Sequence, residues 1–170
     1  MVLNCLLGAP FGTRPARTDF LTLLGQAEEI VWPNHPNAIV IEAHGSPSSG
    51  QTSTANGVNQ WLFIFADNPQ GPEVGTVLLD YARCEFGQPV YVPEAWFGTV
   101  YETLPRQIGL ADAIQYMRDA GHTAPFTSVT LRKPLTFPEP EEALYAFALP
   151  GRFVLVGALT GEVTVEIPQE

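Results

Sequence analysis

The segment Phe20–Ile41, which reads FLTLLGQAEEIVWPNHPNAIVI, decides the fold class because it contains a helix followed directly by a strand. Its apolar residues recur every three or four positions as far as Val31, which is the spacing of a helix with one buried face. Two prolines then end the helix, and the β-branched run after them predicts a strand. Leu110–Leu131 repeats this order over a segment of the same length, 90 positions later. The repeat predicts two units of one architecture.

Further strands follow the helix in each half. Short apolar or alternating runs bounded by turn formers predict them at 59–67, 76–81, 90–92, 126–131, 143–149, 153–156 and 163–167. In the last of these, Val163, Val165 and Ile167 alternate with polar residues, which predicts that the three apolar side chains point inward. The Ser-, Thr- and Gly-rich stretch Gly45–Gly57 predicts a long mobile loop.

These elements predict an α+β fold in which two helix-plus-antiparallel-sheet units pack together. The predicted organisation is an irregular lead-in over residues 1–17, a first unit over 18–92, an aromatic connector over 93–107 and a second unit over 108–170. The connector is too aromatic for a flexible linker, so we expect it to pack in the groove between the units.

Composition and charge limit the classes of function. The chain has 170 residues, 45% of them hydrophobic and 15% charged, which predicts a folded core and excludes a disordered chain. Its net charge is −10, and such a field repels nucleic-acid backbones and anionic lipid surfaces. We therefore expect no nucleic-acid or membrane binding, and any protein partner is expected to be basic.

Cysteine content and the first residues bear on the compartment. Cys5 and Cys84 can form at most one bridge, far below the density of small secreted scaffolds, so both are predicted to be free thiols. The apolar opening Val2–Leu7 has no basic segment before it and does not support a signal peptide. The expectation is a cytoplasmic protein.

The segment Phe153–Val163 reads FVLVGALTGEV, and its turn resembles the signature V-D-A-x-T-G-x-V of PepSY-type domains. The matching residues are Val156, Ala158, Thr160, Gly161 and Val163. Gly157 stands where the family has aspartate. The resemblance extends over about residues 108–163 and reaches the first half only in outline.

The resemblance implies a cystatin-like arrangement, a helix across an antiparallel sheet, in domains that bind or inhibit other proteins. Several small bacterial toxin-immunity families are similar in plan. Independently of any family, a glycine in such a turn supplies the positive φ that a tight hairpin needs. The turn itself carries no catalytic group.

Chemical motifs are few in this sequence. Glu42 and His44 are two apart on a predicted strand and so share a face, where the carboxylate would orient the imidazole. Together with the serines of the following loop they outline a Ser-His-Glu hydrolase, but no Gly-x-Ser-x-Gly elbow accompanies them; these serines are Ser46, Ser48 and Ser49. Cys84 has Arg83 beside it but no nearby histidine. We predict no catalytic residue, no metal site and no cofactor.

The leading hypothesis is a non-catalytic protein-binding module, an inhibitor or immunity protein for a basic partner. Aromatic residues surrounded by charge are typical of binding hot spots. The candidate contact residues on this basis are Trp61, Trp96, Phe97, Tyr101, Glu139, Glu141 and Glu142. Two alternatives remain: a small enzyme or ligand carrier with a pocket between helix and sheet that holds Glu42, His44 or Cys84, and a structural subunit that forms a homodimer.

Overall fold

A nine-stranded antiparallel sheet dominates residues 19–167, the part of the chain that the computed structural model describes. Two helices accompany it within that range, so the predicted α+β class is confirmed. The predicted lead-in over residues 1–17 lies outside the described residues. The helices are α1 (Phe20–Val31) and α2 (Leu110–Asp119). The strands are β1 (Ile39–Ser46), β2 (Gln60–Asp67), β3 (Gly75–Ala82), β4 (Glu85–Phe86), β5 (Val90–Val92), β6 (Ser128–Arg132), β7 (Leu144–Leu149), β8 (Arg152–Gly157) and β9 (Val163–Glu166).

The sheet places the first strand after each helix at its centre. The strand order is β4-β3-β2-β1-β6-β7-β8-β9, and β5 pairs with β3 beside β4. β1 and β6 are antiparallel neighbours, with Glu42 opposite Arg132 and His44 opposite Thr130. This pairing brings side chains from the two halves of the chain together on one surface.

Both helices begin and end where the sequence predicts. The Asp19 carboxylate caps α1 by accepting a 2.9 Å hydrogen bond from the Thr22 backbone N–H. α2 ends before Gly121, whose φ of +90° places it in the left-handed region, as expected of a C-terminal stop. Each helix buries one apolar stripe against the sheet; the buried apolar residues are Phe20, Leu23, Leu24, Ala27 and Val31 in α1 and Leu110, Ala113, Ile114 and Met117 in α2.

The sheet has two faces with different surroundings. The first face packs against both helices and forms the main core, in which Phe63, Phe65, Tyr145 and Phe147 are fully buried. On the second face, side chains of the connector cover a smaller cluster around Ile41, Ile64 and Ala66; they are Trp96 and Tyr101. The rest of the second face is mixed: His44 and Thr130 lie near its centre, and Phe153 and Leu155 lie on β8 in the same rows as Ser128 and Thr130.

Two sequence predictions about exposure and loops need correction. Val163 packs against the main core, as predicted, and Val165 lies on the same face, opposite the buried Val154. However, Val165 and Ile167 are 43% and 75% exposed, so the prediction that they are covered is wrong. β9 is the edge strand beyond β8, the strand that α2 contacts, so the helix layer ends before it. The predicted loop Gly45–Gly57 is also shorter than expected, because β1 continues to Ser46. Inside that loop Thr52 exchanges backbone hydrogen bonds with Phe126, which ties it to the chain before β6.

A tight hairpin at Cys84 was not predicted from the sequence. Arg83 and Cys84 have φ values of +55° and +67°, and this two-residue turn leads from β3 into the short strand β4. Such turns are usually marked by glycine or asparagine, which are lacking at these two positions. Cys84 is disulfide-bonded, so the prediction of a free thiol is wrong for this residue. Cys5 lies outside the described residues.

Candidate functional site

Three large apolar side chains stand exposed on two paired segments at the second face of the sheet. Phe97 is 85% exposed, Leu135 63% and Phe137 fully exposed. The segments are joined because the Leu135 N–H donates a 2.9 Å hydrogen bond to the Gly98 carbonyl oxygen, and Thr99 bridges to Pro134. We call Phe97, Leu135 and Phe137 the apolar patch. Near-complete exposure of two phenylalanines is costly in water, and contiguous exposed apolar side chains are usual at binding surfaces.

The segment that presents Phe97 is held by the buried carboxylate of Glu42. Glu42 Oε2 accepts a 2.9 Å hydrogen bond from Trp96 Nε1 and a second from the Thr99 hydroxyl. Phe97 lies between these two donors in the chain. A third bond, 2.7 Å from the Tyr101 hydroxyl to the Trp96 carbonyl oxygen, closes the segment on itself. These hydrogen bonds hold the segment that carries Phe97 in one conformation, so less conformational entropy is lost when Phe97 binds a partner.

Glu42 remains ionised although it is only 1% exposed. Burial alone would raise the pKa of its carboxyl, but hydrogen bonds from His44, Thr99 and Trp96 favour the charged form and bring the pKa below its usual value. His44 Nε2 lies 2.5 Å from Oε1, and Arg132 Nη1 lies 3.8 Å from the same oxygen. A carboxylate with this many donors is a strong anchor.

Exposed acidic side chains flank the patch residues along the chain. Glu94 and Glu102 are exposed on the connector, and Glu139 and Glu141 are exposed just after Phe137. Lys133, the single lysine of the chain, contacts Glu139 at 3.0 Å and Glu102 at 3.2 Å, so its charge is already matched. We call these four glutamates the acidic rim. An apolar centre with a charged rim is the usual anatomy of a protein-protein interface.

A cavity of about 460 Å³ adjoins the patch between β3, β5 and the connector. Its walls include Leu78, Val92 and Ala95, with Trp96 and Phe97 on the connector side. The cavity extends the apolar surface inward from Phe97. An apolar side chain of a bound protein would find a pocket there.

The structure separates the predicted contact residues. Phe97, Glu139 and Glu141 belong to the exposed surface just described. Trp96 and Tyr101 are half-buried and support that surface from beneath. Trp96, Phe97 and Tyr101 thus lie together on the connector, and Glu139 is linked to the connector because it shares Lys133 with Glu102.

The two remaining predicted contact residues lie elsewhere and have internal partners. Trp61 is 4% exposed and packs in the main core against Phe20, with ring centroids 4.5 Å apart. This burial removes it from the candidate contact surface. The Glu142 carboxylate accepts hydrogen bonds from the Leu159 and Thr160 backbone N–H groups of the turn before β9. Leu135 and Phe137 were missed, although two large apolar residues inside the proline-rich run 134–140 are a usable signal.

The predicted Glu42 and His44 pair is confirmed, but its hydroxyl neighbour is not one of the predicted serines. Thr130 Oγ1 lies 3.1 Å from His44 Nδ1. Ser46 instead contacts Gln60, and the Ser49 hydroxyl donates to the Gln51 carbonyl oxygen. Pairing of β1 with β6 therefore supplies the hydroxyl from the other half of the chain.

Comparison with known proteins finds no matching family model, no matching curated protein and no matching solved structure. Over residues 19–167, no group of three or more His, Cys, Asp or Glu side chains is placed to hold a metal ion. Neither α1 nor α2 is long and apolar enough to cross a membrane.

Proposed function

We propose that this chain is a protein-binding module, of the inhibitor or immunity class, that captures a basic partner with the apolar patch and the acidic rim. The observation that carries the proposal is the exposure of Phe97, Leu135 and Phe137 on two hydrogen-bonded segments. Aromatic side chains contribute most of the energy at protein interfaces. The binding proposed here uses no catalytic group.

Charge selects the class of partner. The net charge of −10 disfavours nucleic acid and anionic membranes and speeds the approach of a cationic protein. Glu102 and Glu139 share the single charge of Lys133, so the acidic rim keeps an excess of negative charge. That excess would attract lysine or arginine side chains that surround an apolar contact on the partner. A fixed support for Phe97 favours binding without large rearrangement.

We also propose that the fold is a tandem of two PepSY-like or cystatin-like units, 18–92 and 108–170. Two features support the duplication: each helix is followed directly by a central strand, and the strand orders on the two sides of the β1–β6 pair run outward in the same sequence. PepSY-type and cystatin-like domains bind proteins, which agrees with the function proposed. The disulfide at Cys84 counts against the cytoplasmic location expected from the sequence, because disulfides are rare in reducing compartments.

A comparison of three forms of the full chain tests the function. They are the wild type, a patch variant with Phe97→Ser, Leu135→Ser and Phe137→Ser, and a control variant with Val165→Ser and Ile167→Ser. The control replaces exposed apolar residues at the β9 end of the sheet. Each form is immobilised and exposed to products of neighbouring genes, and each retained protein is purified and titrated calorimetrically at low and high salt.

The proposal expects a basic protein that binds the wild type and the control equally and the patch variant at least about tenfold more weakly. Its affinity should fall as salt rises, because the rim contributes charge attraction. Equal affinity for the patch variant would contradict the proposal, and so would the lack of any patch-dependent binding at micromolar concentration. Light scattering tests the homodimer alternative. If the wild type is a dimer and the patch variant a monomer, the patch binds a second copy of this chain and not a basic partner.

A further inference from the structure

A hydroxyl, an imidazole and a buried carboxylate form a continuous chain of hydrogen bonds on the second face of the sheet. Thr130 Oγ1 lies 3.1 Å from His44 Nδ1, and His44 Nε2 lies 2.5 Å from Glu42 Oε1. The register of β1 against β6 places His44 directly opposite Thr130. A nucleophile within reach of a base that a third group orients is the general signature of nucleophilic catalysis.

The surroundings of Glu42 determine the tautomer of His44. Trp96 Nε1 and the Thr99 hydroxyl already donate to Oε2, so the carboxylate acts as an acceptor on every side. The neutral imidazole must then carry its proton on Nε2, where it donates to Oε1. Nδ1 is left with a lone pair that accepts from the Thr130 hydroxyl. Nδ1 is therefore unprotonated and can accept the Thr130 proton as a general base.

A cavity of about 350 Å³ opens beside the hydroxyl and the imidazole. Its lining includes both His44 and Thr130, and also Gln60 and Ser128, whose side chains carry N–H and O–H donors. The His44 side chain is 42% exposed, whereas that of Glu42 is 1% exposed. The reacting groups are open to a small molecule, and the orienting carboxylate is shielded from water.

We propose that this cluster is an acyl-transfer site for small esters, with Thr130 as the nucleophile, His44 as the general base and Glu42 as a positioning residue. Gln60 and Ser128 are the donors available to a developing oxyanion in the cavity. The site uses none of the patch residues, but Glu42 also anchors the segment that carries Phe97. Thr130 and His44 are therefore the residues whose replacement separates this site from the protein-binding function proposed above.

The reaction balances without any cofactor. Thr130 Oγ1 attacks the ester carbonyl carbon while its proton passes to His44 Nδ1. The C–O bond to the leaving alcohol breaks, and that oxygen takes the proton from Nδ1, which leaves an acyl-Thr130 ester. Water then attacks this ester and gives a proton to Nδ1. The carboxylic acid departs, and the same proton returns to the Thr130 oxygen.

Two measurements on the full chain test the proposal. The first is hydrolysis of p-nitrophenyl acetate by the wild type, Thr130→Ser and Thr130→Val. The second is labelling by a fluorophosphonate, in which the P–F bond breaks, a P–O bond to Thr130 forms and the proton passes to His44; the labelled residue is located by peptide mass spectrometry. Thr164→Val is the matched control, because Thr164 is an exposed strand threonine in the same row of the second face.

The proposal expects label on Thr130 and kcat/KM at least about tenfold lower in Thr130→Val, with Thr130→Ser and Thr164→Val close to the wild type. His44→Gln should abolish labelling. Glu42→Gln should lower kcat with little change in KM, which a purely structural role would not produce. Circular dichroism shows whether Glu42→Gln is folded. If it is not, the comparison of Thr130→Ser with Thr130→Val tests the proposal alone.

Other outcomes would overturn the assignment. Label on His44, Lys133 or the N-terminal amine in place of Thr130 would show simple surface reactivity. Equal rates for Thr130→Val and the wild type would mean that the hydrogen bonds joining Thr130, His44 and Glu42 have only a structural role. The patch variant should keep the wild-type hydrolysis rate, so failure of this proposal and failure of the binding proposal are separate results.

Discussion

The carboxylate of Glu142 lies over the turn at Gly157 and occupies the space into which a side chain at that position would project. Glu142 accepts a 2.5 Å hydrogen bond from the Thr160 hydroxyl and further bonds from backbone N–H groups of the turn. A Cβ built at Gly157 would overlap both Glu142 Oε1 and Thr160 Oγ1. The turn that resembles the PepSY signature thus receives its carboxylate from Glu142, with glycine at the position where the signature has aspartate.

Gly157→Ala and Gly157→Asp should therefore destabilise the protein. Overpacking of this kind costs about 1–3 kcal/mol, and the aspartate should cost more because it adds a second negative charge beside Glu142. Urea unfolding followed by circular dichroism measures both changes. In a Glu142→Ala background the Gly157→Ala penalty should shrink, since one of the two clashing groups is gone and the Thr160 hydroxyl loses the bond that holds it there. An unchanged penalty in the double mutant would contradict this account of the turn.

Glu42→Gln should destabilise the protein in a pH-dependent way. Folding holds the pKa of this carboxyl below its ordinary value of 4.5, so its contribution is complete above that value and is lost as pH falls through the lowered pKa. At neutral pH the glutamine N–H group would face the donors of Trp96, Thr99 and His44 without an acceptor, which costs about 1–3 kcal/mol of stability. Urea unfolding at a series of pH values should give a difference between variant and wild type that is constant above pH 4.5 and shrinks as the pH falls through the lowered pKa. A constant difference would count against the proposed role of the charge.

Phe147→Ala should destabilise the protein strongly, whereas Phe137→Ala should leave its stability almost unchanged. Phe137 is fully exposed and Phe147 fully buried, although both are phenylalanines in the second half of the chain. Phe147→Ala should lower the free energy of unfolding by about 3–5 kcal/mol through the cavity it leaves. Phe137→Ala should change it by less than about 0.5 kcal/mol. Thermal unfolding of both variants checks the pair, and a large loss for Phe137→Ala would mean that the patch packs inside the molecule.

Two glycine substitutions should shift stability in opposite directions. A Cβ at Gly45 would lie 2.7 Å from the Trp61 ring and from a Val58 methyl group, so Gly45→Ala should cost about 1–3 kcal/mol. In the middle of α1, a Cβ at Gly25 would meet its nearest neighbour, Arg106, at 3.6 Å. Gly25→Ala should stabilise the helix by about 0.5–1 kcal/mol, because glycine is a poor helix former. Chemical denaturation of both variants tests the signs.

Local patterns predicted most of the elements for a clear reason. The apolar stripe of Phe20–Val31 and the alternating or apolar strand runs depend on residues close in sequence, and their period is set by backbone geometry alone. The hairpin at Arg83 and Cys84 was missed because neither residue is a typical turn former for positive φ. Exposure of Val165 was also misjudged, since alternation shows that a strand has two faces but does not show whether a helix layer reaches it.

The candidate site was predicted only where its members are neighbours in sequence. Glu42 and His44 share a face because they are two apart on one strand, and their contact follows from that spacing. Thr130 is 86 positions from His44, so their contact depends on the pairing of β1 with β6. Trp61 shows the reverse problem: its aromatic character suggested a contact surface, and its position opposite α1 buried it instead.

By itself, the amino-acid sequence determined the helices, the strand segments, the acidic charge and the pairing of Glu42 with His44. These properties arise from periodicity and composition, which act over a few residues or over the whole chain at once. Tertiary structure alone decided that β1 and β6 lie side by side and that Thr130 reaches His44. It also decided that the connector is tied to Glu42 and that its Gly98 pairs with Leu135. Each of these contacts joins residues far apart in the chain, and long-range pairing is set by the burial of the whole sheet, which no local pattern encodes.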